Sequence, residues 1–152
     1  MIVNIKKLNP KAVIPFRKYK SDFCYDCVAV SEEELAPNVW KYRLGFALQP
    51  SLLLKNTVKG NFDSNICFTL RPRSSVWETG MVLSNSIATI DEGFIGEISA
   101  VFYHIMPNMP RYKVGDKVCQ IHFDVCVDIE FNEVDTLEET ERGTNGYGST
   151  GR

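Results

Sequence analysis

Residues 118–131 alternate in polarity almost without error. Cys119, Ile121, Phe123, Val125, Val127, Ile129 and Phe131 fall on one side, while Gln120, His122, Asp124, Asp128 and Glu130 fall on the other. A period of two marks a strand with one face on a core, so this stretch predicts one long, half-buried β-strand. Residues 65–70 (NICFTL), 97–105 (EISAVFYHI) and 38–48 (NVWKYRLGFAL) are rich in β-branched and aromatic residues and are bounded by Gly, Pro, Asn or Asp. They read as further strands. No segment sustains a helical period, and many short strands punctuated by turns predict an all-β barrel, sandwich or jelly roll.

One short helix interrupts this pattern. Ser75 followed three residues later by Glu78 forms a capping box that predicts a turn or two of helix, stopped by Gly80. The start of such a helix gathers unpaired N–H groups and positive dipole charge, and Arg73, Ser74 and Ser75 stand beside it, a candidate anion site. Beyond residue 132 the chain turns acidic and then glycine-rich (FNEVDTLEETERGTNGYGSTGR), with almost no apolar content after Leu137. This predicts a folded body over residues 1–135 and a flexible C-terminal arm over 136–152.

The bulk numbers narrow the function classes. A chain of 152 residues with 44% hydrophobic and 24% charged residues is of ordinary soluble composition and expects a single core. A formal net charge of −2 argues against sequence-independent nucleic-acid binding, so any phosphate binding must be local. No apolar run reaches the roughly twenty residues of a membrane span, and the opening MIVNIKKLNPKAVIPF lacks the features of a secretory signal. A cytoplasmic protein without membrane contact is expected. Five cysteines, an odd number, make no convincing framework of bridges, so reduced thiols are expected, and the lone CxxC spacing of Cys24 and Cys27 has no second pair to complete a zinc site.

The final eleven residues concentrate candidate chemistry. Four glycines leave backbone N–H groups able to approach an anion, Arg142 and Arg152 add charge, and Tyr147 offers a face for a base. Four more polar islands stand out of the β-rich body: SDFCYDC (21–27), RPRSSVWETG (71–80), NSIATIDEGFIGE (85–97) and GDKVCQ (115–120).

In order and spacing, these five segments resemble the motifs of the trimeric all-β dUTPase family, the deoxyuridine triphosphate nucleotidohydrolases. The combination of PRSS, an IDEGF segment and RGTNGYGSTG carries the resemblance, and IKKLNPKAVIPF is similar to the family's opening strand. Some positions depart from the family pattern. Phe23 and Cys24 stand where a small residue and Gly commonly precede the Tyr-Asp pair, Ala88 replaces a Gly, Phe94 a Tyr, and Ile95 a frequent Arg.

The resemblance implies a distorted jelly-roll-like β-barrel with one short helix and a flexible arm. It also implies hydrolysis of dUTP to dUMP and pyrophosphate by in-line attack of water on the α-phosphorus with Mg2+, removing dUTP and supplying dUMP for thymidylate synthesis. Asp91 would be the base that primes the water. Arg73, Ser74, Ser75 and Gln120 would cradle phosphate oxygens, and Asp26 would meet the metal through water. Asn85 and its neighbours, with Ile90, would read uracil in a hairpin too tight for thymine's methyl, and Phe94 would pack beneath the deoxyribose. Tyr147 would stack on the base while Arg142, Gly146, Gly148 and Ser149 close over the phosphates as a lid. Members are typically homotrimers with sites between subunits. A dCTP deaminase shares the fold, but the glutamate it needs is replaced here by Val101. The remaining alternative is a nucleotide-gated regulatory protein with a protein partner.

Overall fold

The computed structural model describes residues 2–50, 64–127 and 129–146. Ten strands are present among the described residues: β1 (Val3–Lys7), β2 (Tyr25–Val28), β3 (Ser31–Ala36), β4 (Val39–Arg43), β5 (Phe46–Pro50), β6 (Ser64–Arg71), β7 (Met81–Leu83), β8 (Ala88–Ile90), β9 (Ser99–His104) and β10 (Lys117–Val127). All pair antiparallel, in the orders β1-β5, β2-β10-β6-β8 and β3-β4-β9-β7. The all-β expectation holds, but among the described residues the ladders make three sheets and no closed barrel.

The two four-stranded sheets share one core. Tyr42, Leu83, Ala100 and Phe102 come from one sheet, Phe68, Leu70, Ala88, Cys119 and Ile121 from the other, and Phe46 and Leu48 join them from β5. Tyr42, Phe102 and Tyr112 meet edge to face at 5.5–6.1 Å between ring centres. Each such pair adds about 0.5–1.5 kcal/mol beyond the area it buries. The buried Tyr42 hydroxyl donates to the Tyr112 carbonyl at 2.8 Å, which offsets its loss of water.

Several expected elements are redrawn. The 38–48 strand splits into β4 and β5 at Gly45, whose φ of 75° no strand residue adopts and whose position a side chain could not share with Val30, Asn9 and Ala12. The expected capped helix is a 3-10 helix over Ser74–Thr79, entered from Arg73 with no side-chain cap. It does end at Gly80, in the left-handed region. The long alternating strand stops at Val127, and its apolar face meets the core only in its first half: Ile121 is fully buried, whereas Val125 and Val127 are exposed. Residues 129–146 form no strand or helix and are exposed throughout.

The expectation of reduced thiols fails at one pair. Cys67 on β6 and Cys126 on β10 are joined as a disulfide, with Cα atoms 6.1 Å apart. Pairing of Asp124 with Cys67 and of Cys126 with Asn65 makes them diagonal neighbours on one face, within the reach of a bridge. Cys24, Cys27 and Cys119 are free.

Candidate active site

Neighbouring strands bring residues from three sequence-distant segments together. The ladder pairs Asp26 of β2 with Gln120 of β10, and Gln120 with Arg71 of β6, so the chain leaving β6 carries Arg73 and Ser74 past Asp26 and Gln120. Asp26, Arg73, Ser74 and Gln120 line one cleft of about 530 Å³. Gln120 Nε2 donates to the Pro72 carbonyl at 3.0 Å, fixing the turn that precedes the 3-10 helix.

Asp26 is the electrostatic centre of this cleft. Arg73 Nε donates to its Oδ1 and Lys117 Nζ to its Oδ2, both at 2.9 Å, and the Asp26 side chain is 17% exposed. Arg73 also donates through a terminal nitrogen to Ser75 Oγ at 3.2 Å, so that serine orients the guanidinium and does not itself line the cleft. Partly buried charge-assisted bonds of this kind hold a cation in place before any ligand arrives. Lys117 was not singled out from the sequence, although it lies inside the GDKVCQ segment; nor were Arg17, Lys18 and Tyr19, which line the same cleft just before the SDFCYDC segment.

Asn85, Ile90, Asp91 and Phe94 lie elsewhere. Residues 84–87 turn between β7 in one sheet and β8 in the other, with Ser86 at a φ of 58°. Asn85 is exposed in this turn. Asp91 follows β8 and is exposed, and its carbonyl accepts the Phe94 N–H at 3.0 Å in a tight turn. The Phe94 ring is 44% exposed and folds over Gly96, so it is a surface ring and not a core aromatic. None of the four lines the Arg73 cleft. Ile90 pairs with Phe68, five residues before Arg73, which puts the Asp91 turn and Arg73 on the order of 15 Å apart along β6.

The cysteines near the cleft are poor nucleophiles. Burial pushes the Cys24 thiol up, against a smaller opposing effect of Arg71. The Cys27 thiol is raised well above its ordinary value, first by a hydrogen bond with Cys119 and then by burial. No group of three or more His, Cys, Asp or Glu residues that could hold a metal exists among the described residues. Arg142 is exposed and donates to the Asn145 carbonyl at 3.1 Å, in a turn that leads to Gly146. Tyr147, Gly148 and Ser149 lie outside the described residues.

Comparison with known proteins relates the chain as a whole to one family. A family model described as dUTPase matches residues 11–151. The deoxyuridine 5'-triphosphate nucleotidohydrolase of Clostridium novyi is 31% identical over 148 residues, covering 97% of this chain and 96% of that one. The enzyme of the same name from Corynebacterium diphtheriae is 30% identical over 152 residues, covering 99% and 93%. Among solved structures, the dUTPase of Staphylococcus bacteriophage 80alpha with dUPNHPP superposes with a TM-score of 0.79 at 20% identity, covering 99% of each chain. A mutant dUTPase from phage phi11 of S. aureus, described as revealing the coordination of a structural Mg(II) ion, superposes with a TM-score of 0.70 at 17% identity, covering 91% of this chain and all of that one.

Proposed function

The chain belongs to the dUTPase family and hydrolyses dUTP to dUMP and pyrophosphate; from that premise we propose how its own residues divide the work. Asp91 orients and deprotonates the attacking water, and an exposed carboxylate with no ion-pair partner among the described residues suits that task. Arg73, Ser74 and Gln120 hold phosphate oxygens, with Ser75 fixing the Arg73 fork. Asn85 and the turn leading to Ile90 read the uracil edge. Phe94 packs under the deoxyribose, where an apolar ring leaves a ribose 2′-hydroxyl unpaired.

The observation that carries this reading is the convergence of Arg73, Lys117 and Gln120 on Asp26 in one cleft. While the cleft holds no substrate, Asp26 neutralises two cations and keeps them in position. An arriving triphosphate competes for Arg73 and Lys117, and the Asp26 carboxylate would then hold a hydrated Mg2+ through water. A single carboxylate plus substrate phosphates is a common donor set for that ion, which fits the absence of a larger acidic group among the described residues. Mg2+ held there would neutralise charge on the leaving pyrophosphate.

The separation of the Asp91 turn from the Arg73 cleft supports a homotrimer whose sites lie between subunits, one chain offering its phosphate cleft and a neighbour its uracil hairpin. Residues 1–135 are then the trimer-forming body. The arm over 136–152, with Arg142, Gly146, Tyr147, Gly148 and Ser149, is the lid of an adjoining site. A cytoplasmic location belongs to the same reading, and no helix among the described residues is long and apolar enough to cross a membrane. A hydrolysis assay over dUTP, dCTP, dTTP and UTP, with and without Mg2+, tests it. Mg2+-dependent pyrophosphate release from dUTP alone is expected, and comparable turnover of dTTP or UTP would refute the base and sugar assignments.

A further inference from the structure

Part of the cleft lining is a closed loop. Phe16 and Asp26 exchange backbone hydrogen bonds at 2.8 and 3.3 Å and form the neck of residues 17–25. Inside the neck, the Tyr19 N–H donates to Asp22 Oδ2 at 3.0 Å, and the Asp22 N–H returns to the Tyr19 carbonyl at 3.2 Å. Arg17 donates to the Asp22 carbonyl at 3.0 Å and lies 4.9 Å from the Tyr25 ring centre, while Lys18 Nζ lies 5.1 Å from that of Tyr19. A basic run at Arg17, Lys18 and Lys20 is thus carried on a braced loop hinged at Asp26.

The charges of the cleft are unequally occupied. Of its four cations, Arg73 and Lys117 are paired with Asp26, while Arg17 and Lys18 form no ion pair among the described residues. The other carboxylate in the lining, Asp22, is engaged by the Tyr19 N–H. We propose that Arg17 and Lys18 are a further substrate-positioning pair that grips the terminal two phosphates of dUTP, the part that leaves as pyrophosphate. This inference rests on the hydrolysis reading above. Arg73 and Gln120, fixed near the 3-10 helix start, are left to the α-phosphate. Two donors on the loop can bind the multiply charged diphosphate without touching the nucleoside half.

The double variant R17Q/K18Q tests the assignment, with K20Q as control because Lys20 does not line the cleft. Both changes are on exposed side chains, and equal melting temperatures confirm an intact fold. Loss of two charge-assisted contacts should weaken inhibition by inorganic pyrophosphate by about 10- to 100-fold and raise KM for dUTP. Inhibition by dUMP should stay within about twofold, since dUMP lacks the two phosphates in question. Unchanged pyrophosphate inhibition, or equal weakening of dUMP, would overturn the proposal. Calorimetric titration of the same proteins with pyrophosphate alone separates the two levels of inference. A wild-type chain that binds pyrophosphate through Arg17 and Lys18 but turns over no dUTP keeps the subsite and rejects the assigned catalysis. A wild-type chain that hydrolyses dUTP while the double variant binds pyrophosphate equally well does the reverse.

Discussion

Asp26 and Asp91, the two carboxylates proposed for the site, have opposite surroundings. Asp26 is mostly buried and faces two cations, whereas Asp91 is exposed at the end of β8. Asp91→Asn should therefore lower kcat by about 10²- to 10⁴-fold, the usual value of a positioned base, while binding of a non-hydrolysable dUTP analogue is retained. Undiminished kcat would remove Asp91 from the mechanism. A third carboxylate, Glu32, works for stability. It accepts from Arg111 at 2.9 Å, and that guanidinium lies 3.6 Å from the Trp40 ring centre. The Arg111 hydrogen bond holds the Glu32 carboxyl below the usual glutamate range. A folded-state pKa below the unfolded one means that the stabilisation is complete above about pH 4.3 and is lost as pH falls through the depressed value. Melting temperatures measured from pH 6 down to pH 3 should consequently fall further for the wild-type chain than for Glu32→Gln.

At the scale of elements, strands with long alternation were legible and short ones were not. β6, β9 and β10 stand close to where β-branched and aromatic patterning placed them. β7 and β8 are three residues each, too short for a period to show, and β3 reads SEEELA, whose glutamates suit an exposed edge strand better than any propensity rule suggests. The split between β4 and β5 was hidden because Gly45 sits within an apolar run; only the backbone reveals that the chain must turn there. At Gly45 a Cβ would lie 2.9 Å from Val30 Cγ2, and its N–H donates to Glu97 Oε1 at 3.1 Å. Gly45→Ala should cost about 2–4 kcal/mol from backbone strain and crowding together. For a chain of this size that is roughly a 5–15 °C drop in melting temperature, read by calorimetry. The meeting of Arg73, Ser74 and Gln120 in one cleft was legible because the RPRSS and GDKVCQ segments carry their own polar residues. The place of Arg17 and Lys18 was not, because only the Phe16–Asp26 neck brings that basic run into the cleft that Arg73 lines.

For the whole molecule, the distribution of motifs over the sheets makes a quantitative demand. Asp26 lies on one edge strand of the β2-β10-β6-β8 sheet, and Asp91 follows the opposite edge strand, whose last residue, Ile90, pairs with Phe68 midway along β6. If a working site takes its phosphate cleft from one subunit and Asp91 from a neighbour, two separately inactive chains can repair each other. Arg73→Ala lacks the cleft and Asp91→Asn lacks the base. Co-refolded in equal amounts into random trimers, half of the clefts carry Arg73, and half of the neighbours facing them carry Asp91. About a quarter of sites are then complete, and about a quarter of wild-type turnover should return. A site built within one chain predicts none, because every chain in the mixture carries one of the two defects. The recovered fraction, measured as pyrophosphate release from dUTP against the unmixed variants, therefore decides between the two architectures.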